Sequence, residues 1–189
     1  MSYKTYTTEA IVCGSRANNT SDKSFLLFTR EAGMLWATAR SVREEKSKQR
    51  FALQDFSLIR VSLVRGKSGW RVGSVEGIRN YFIDASSSKS ARGAVTSIVR
   101  LLRQFLRGES AHMELFVDTK TALDLVCFET MDPLRISEVF SLRALHKLGY
   151  VADSEALSLY LSSSDWWELP PMPKEALEAT ARAKQVSHL

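Results

Sequence analysis

The stretch SFLLFTREAGMLWATARSVREEKSKQRFALQDFSLIRVSLVRGKSGWRVGSVEG, Ser24 to Gly77, carries the turn signals and the charge cluster from which the fold is read. Gly33 joins the apolar run Phe25–Phe28 to a strand pattern from Met34 to Val42, and the Gly66–Gly69 turn joins Phe56–Val64 to Trp70–Ile78. Continuous apolarity over Phe25–Phe28 fits a strand covered on both faces. In the third strand Leu35, Ala37 and Ala39 share one face, and Met34, Trp36, Thr38 and Arg40 the other, because side chains alternate along a strand. The small face is expected inward, which leaves Trp36 and Arg40 side by side outside, an aromatic platform next to a phosphate ligand. The fourth strand alternates Ile59, Val61 and Leu63 with Leu58, Arg60 and Ser62, and the fifth sets Trp70 and Val72 against Arg71 and Gly73.

Upstream, residues 3–13 have strand composition and Gly14–Asp22 reads as a loop. Five short strands within about 80 residues, with a long connection between the third and fourth, predict a closed barrel of the OB type. That connection is basic: between Arg40 and Arg50 the cations Arg40, Arg43, Lys46, Lys48 and Arg50 are opposed by Glu44 and Glu45 alone. Such a tract between barrel strands predicts a nucleic-acid face, although a solvated loop would carry the same charge. Trp36 and Trp70 either stack on bases or fill the barrel. Arg60, Arg65, Lys67 and Arg71 are secondary candidates, with surface solubility as the alternative.

From Asp84 the apolar period changes. A Ser-rich linker, ASSSKS, precedes the stripe Val95, Ile98, Val99, Leu102, Phe105 and Leu106, which Gly108 ends. A second helix is expected from His112 to Thr130 with Leu115, Phe116, Thr119, Ala122, Leu123 and Val126 inward. The third opens with Asp132 as N-cap and Pro133 at its first position, and closes at Gly149. A short helix over Ser154–Leu161, the apolar loop DWWELPPMP and a last helix over Lys174–Ser187 complete the chain. Trp166 and Trp167 in that loop either pack under the last helix or line an apolar groove. The fold class is thus α+β, a five-stranded barrel over residues 1–83 followed by a helical domain over residues 84–189.

The net charge of the 189 residues is +5, and its distribution is uneven. Residues 1–83 carry 14 basic and 7 acidic groups, whereas residues 150–189 carry 3 and 6, so the strand-rich part is where a polyanion is expected to dock. Cys13 and Cys127 lie far apart in apolar runs, which predicts neither a disulfide framework nor a metal site. His112, His146 and His188 have no metal-ligand spacing and no Cys or Ser partner, so no catalytic site and no cofactor are expected. Without an apolar leader or a run approaching 18 apolar residues, a cytoplasmic protein with no membrane contact is expected.

With the strands, turns and basic tract in place, the chain resembles the bacterial recombination mediator family RecO. The resemblance is carried by EAIV (Glu9–Val12), LFTREAG (Leu27–Gly33), RSVREEKSKQRFALQDF (Arg40–Phe56), RGKSGWRVGSVEG (Arg65–Gly77) and LRALHKLGY (Leu142–Tyr150). It implies an N-terminal OB fold and a helical domain without catalytic activity. Proteins similar to it bind single- and double-stranded DNA, anneal complementary strands, contact the tail of single-stranded-DNA-binding protein, and work with RecR to load RecA. The resemblance is to a short form: Ser41 stands where a glycine is usual, the four zinc-binding cysteines of many relatives are absent, and the C-terminal region is shorter. For the tail contact the candidates are Arg100, Arg103 and Arg107, three and four apart on the first long helix beside Leu102 and Leu106. From the residues alone, an OB-fold RNA-binding protein and a protein–protein adaptor remain alternatives to a DNA mediator.

Overall fold

The computed structural model describes residues 5–67, 69–128, 131–166 and 168–186. Tyr3 of the expected first strand, Ser68 of the hairpin turn, Thr130, Trp167, Ser187 and His188 lie outside the described residues. Two compact units emerge, one of residues 1–84 with 107–116 and one of residues 85–106 with 117–189.

Among the described residues of the first unit, five strands, β1 (Thr5–Ala17), β2 (Lys23–Thr29), β3 (Gly33–Ala39), β4 (Ser57–Gly66) and β5 (Gly69–Asn80), close into a barrel in the order β1-β2-β3-β5-β4. The β3–β5 pairing is parallel and the others antiparallel, an OB-type barrel. Alternation decides what fills it. Ala10, Val12, Phe25, Leu27, Leu35, Ala37, Ala39, Ile59, Val61 and Leu63 meet in one buried cluster, against which Trp70, Val72 and Val75 pack from β5. Trp70 therefore leans on the core and is half-buried.

Of the strand boundaries that differ from the sequence reading, three shape the surroundings of the basic connection. β1 runs on through Gly14 to Ala17, because a bulge between Val12 and Gly14 takes up one residue and pairing with β2 resumes beyond it. β3 stops at Ala39 rather than Val42: Ser41 turns the chain with φ 51, and Val42 drops into the barrel core at 2% exposure. β5 continues to Asn80, whose side-chain oxygen accepts the N–H groups of Phe82 and Ile83 and so starts the one-turn helix α2 (Tyr81–Asp84). The connection from β3 to β4 contains the one-turn helix α1 (Gln49–Ala52), after which Leu53 joins Val42 in the core.

Residues 107–116 complete this unit. The Gly108 carbonyl accepts the Met34 N–H at 3.0 Å, and Phe116 meets Phe28 edge-on at 5.3 Å. At the Gly33 turn, with φ 67, any Cβ would overlap the Ser110 carbonyl, so both the backbone angle and the close approach require glycine there.

In the second unit the expected linker is ordered: Ala85–Ser87 form a 3-10 turn and Ser88 is the N-cap of α3 (Lys89–Phe105), its hydroxyl accepting the Ala91 N–H. α4 spans Met113–Phe128, its first turn grouped with the barrel, and the six expected inward residues are all buried. α5 (Pro133–Lys147) is capped by Asp132 and ends in a Schellman arrangement in which Tyr150 N–H bonds Leu145 O and Gly149 N–H bonds His146 O. It packs against α3, α6 (Glu155–Ser162) and α7 (Lys174–Val186). Buried Ile136, Val139, Phe140, Leu142, Ala144 and Leu145 cover more than one stripe, as a central helix requires.

Candidate nucleic-acid interface

The basic tract is clamped to the barrel at both ends. At its start the Asp22 carboxylate accepts the Ser41 N–H at 2.9 Å, the Arg43 N–H bonds Ser21 O, and the Arg43 guanidinium bonds Asn19 O at 2.8 Å. Farther along, the Gln49 amide donates to Gly73 O at 2.9 Å, and Val42 and Leu53 anchor the intervening loop in the core. Between these clamps Lys46, Lys48 and Arg50 stay exposed and form no ion pair with a described carboxylate. Arg50 lies 4.7 Å over the ring of exposed Phe51.

Ser41 occupies the backbone region that costs a side-chain-bearing residue about 1–2 kcal/mol. The Asp22 carboxylate accepts the Ser41 N–H in that conformation. This carboxyl is held below the ordinary carboxylate range by the hydrogen bond from Ser41, then by the amide of Asn19. A depressed carboxyl contributes its stabilisation fully above the unfolded value of about 3.9 and loses it as pH falls through the folded value. The Ser41 amide proton shift is therefore expected to titrate with a midpoint below about 3.9, and the step is expected to vanish in Asp22→Ala. A midpoint at or above that value would contradict the clamp.

The ten expected contact residues separate into groups. Arg40 does not lie beside Trp36, because the chain leaves the sheet before it; Arg40 instead lines a depression of about 270 Å³ with Gln49, Val64, Arg71, Val72 and Gly73. The residue against Trp36 is Arg16 of β1, with its guanidinium 4.3 Å over the indole. Arg43 is exposed and donates one guanidinium N–H to the Asn19 carbonyl, so it also holds the β1–β2 loop. Arg60 sits between Glu9 on β1 and Glu76 on β5 and pairs with Glu76 at 3.5 Å, so its charge is offset locally. Arg65 is ion-paired with Glu109 and covers the Trp70 ring at 4.8 Å. Lys67 is exposed at the β4–β5 turn.

On α3, Arg100 and Arg103 are exposed. Arg107 is not on this helix, which ends at Phe105 with extended Leu106 as its C-cap, and Leu102 and Leu106 are buried, so no apolar strip accompanies the arginines. Cys13 is buried and Cys127 half-buried, and among the described residues no group of three or more His, Cys, Asp or Glu gathers to hold a metal. Nor is any described helix long and apolar enough to cross a membrane. Trp166 is buried under the Arg143 guanidinium at 4.4 Å.

A family profile described as Recombination protein O N terminal matches residues 1–81. The DNA repair protein RecO of Desulfitobacterium hafniense is 34% identical over 148 residues, 77% of this chain and 52% of that protein. Those of Symbiobacterium thermophilum and Clostridium novyi are 30% and 27% identical, over 77% and 79% of this chain and 57% and 58% of their own lengths. The chain spans about half the length of the first of these relatives. Barrel topology, the turn that requires Gly33, the clamped basic connection and this identity across both units converge on one assignment: the chain belongs to the RecO family.

Proposed function

We propose that this chain is a non-enzymatic, cytoplasmic and nucleoid-associated mediator of recombinational repair that binds single- and double-stranded DNA on its barrel and brings complementary strands together. The observation that carries the reading is the Arg40–Arg50 connection, fixed at Ser41 and Arg43 on one side and at Gln49 and buried Leu53 on the other, while Lys46, Lys48 and Arg50 stay exposed without an ion pair to a described carboxylate. A polyanion meets fixed positive charge there without a carboxylate to displace, and counterion release supplies affinity independent of sequence. Arg40 and Arg71, around one depression, extend the positive surface to β5. RecR, the tail of single-stranded-DNA-binding protein and, through them, RecA are the proposed partners, as the family assignment supports. Arg100 and Arg103 are the proposed tail contact, without Arg107 and without the buried leucines.

Binding of DNA and RNA strands of equal length over a salt series tests this reading. The expected result is a steep fall of log K with log salt and tighter binding of DNA. A flat salt response would exclude the charge mechanism, and a preference for RNA would favour an RNA-binding OB protein.

A further inference from the structure

The Arg16–Trp36 pair lies outside the basic tract, on the outer face of β1, β2 and β3. Register places Gly14, Leu26 and Trp36 side by side across these strands, and the adjoining row holds Arg16, Ser24, Thr38 and then Arg71 of β5. The β1 bulge sets Arg16 on this face by shifting the alternation after Val12. Trp36 keeps 39% of its surface exposed although β3 has a neighbour on each side, and Arg16 is exposed as well. Beside them Asn18 donates to Ser24 Oγ at 2.8 Å, and the Ser24 and Thr38 hydroxyls lie 2.9 Å apart. The face thus offers an indole, a planar cation stacked on it, the exposed Asn18 amide held by the buried Ser24 hydroxyl, and a second arginine roughly 15 Å away across three strand spacings.

We infer that Arg16 and Trp36 form a stacking station for an unpaired base, which makes this face selective for single-stranded over duplex DNA. The inference rests on the DNA reading above and deepens it. Indole and guanidinium planes both accept any base by its face, but a base inside a duplex is already covered above and below by its neighbours. The tract senses phosphate charge, which both forms carry; the stacking station senses exposed base faces, which single strands carry. Arg71, at the far end of the row, meets the backbone more than one phosphate step away. A solvent-exposed guanidinium–indole stack contributes little to folding, so altering either partner is expected to leave the barrel intact.

The test compares an oligo-dT strand with a duplex of equal length, titrated by fluorescence anisotropy against the full chain, Trp36→Ala, Arg16→Ala and Arg16→Lys, with thermal unfolding of each variant as a control. Trp36→Ala is expected to lose about tenfold in affinity for oligo-dT and less than about twofold for the duplex, the range that loss of one base–aromatic stack gives. Arg16→Lys, which keeps the charge and loses the plane, is expected to follow Arg16→Ala on oligo-dT while retaining the salt slope of the full chain. Equal losses on both substrates, or none on oligo-dT, would overturn the stacking station and leave the tract as the binding surface. Failure of the unaltered chain to bind either substrate would instead remove the DNA reading itself. If Trp36→Ala unfolds, Trp36→Leu supplies the same comparison with an apolar side chain in place.

Discussion

Reversing Lys46, Lys48 and Arg50 to glutamate is expected to lower affinity for single-stranded DNA about 50-fold at 0.15 M salt and to abolish strand annealing. Each single-strand phosphate contact contributes about 0.7 to the slope of log K against log salt, so losing three lowers the slope by about 2. Carried from 1 M down to 0.15 M salt, that slope corresponds to about 1.7 decades of affinity. Turning attraction into repulsion adds to the loss, since the tract then holds five acidic groups against Arg40 and Arg43. The fold is expected to survive, because none of the three side chains makes a clamp to the barrel. Arg43 is left alone for the opposite reason: it holds the Asn19 carbonyl. Annealing is more sensitive than binding, since two polyanions must meet at one site, and Trp36→Ala, which leaves the charges in place, is expected to slow it less. Full annealing by the triple variant, with loss in Trp36→Ala, would reverse the roles of tract and platform.

The second large effect concerns stability. Arg143 on α5 is 5% exposed, donates to the carbonyls of Tyr160 and Ser163 at the end of α6, and lies over Trp166. One guanidinium thereby satisfies two helix-terminal acceptors and roofs the buried tryptophan of the following loop. Arg143→Ala is expected to destabilise the helical unit by about 3 kcal/mol, from two charge-assisted hydrogen bonds at roughly 1.5 kcal/mol each. Arg143→Lys cannot serve both carbonyls in one plane and is expected to fall in between. Urea unfolding followed by far-UV circular dichroism measures the loss; a change under about 1 kcal/mol would mean that water or backbone shifts replace the bonds readily.

Local chemistry made most of the fold legible. The Gly33 and Gly66–Gly69 turns, the alternation of Leu35, Ala37 and Ala39 against Trp36, and the Asp132–Pro133 start of α5 are rules of adjacent residues, and the structure keeps them. What escaped depends on partners distant in sequence. Arg16 reads as part of a loop until pairing with β2 carries β1 past its bulge, and only β2 and β3 together bring it to Trp36. The bond from Arg43 to Asn19 O and the pairing of Arg60 with Glu76 likewise depend on residues distant in sequence. A charge count measures how many cations a segment holds; neighbours in space decide which of them remain for a ligand.

Phe116 is the residue that meets Phe28, and Gly108 and Ser110 close over the Gly33 turn, so the barrel is still unfinished when the ribosome completes its fifth strand. The chain must first extend through the whole of α3 before residues 107–116 emerge, a delay on the order of seconds at ordinary rates of synthesis. During that interval the outer side of Phe28 lacks its aromatic cover. A recombinant fragment cut after β5 would lack that cover permanently, and one carrying residues 107–116 as well is expected to unfold at a higher temperature.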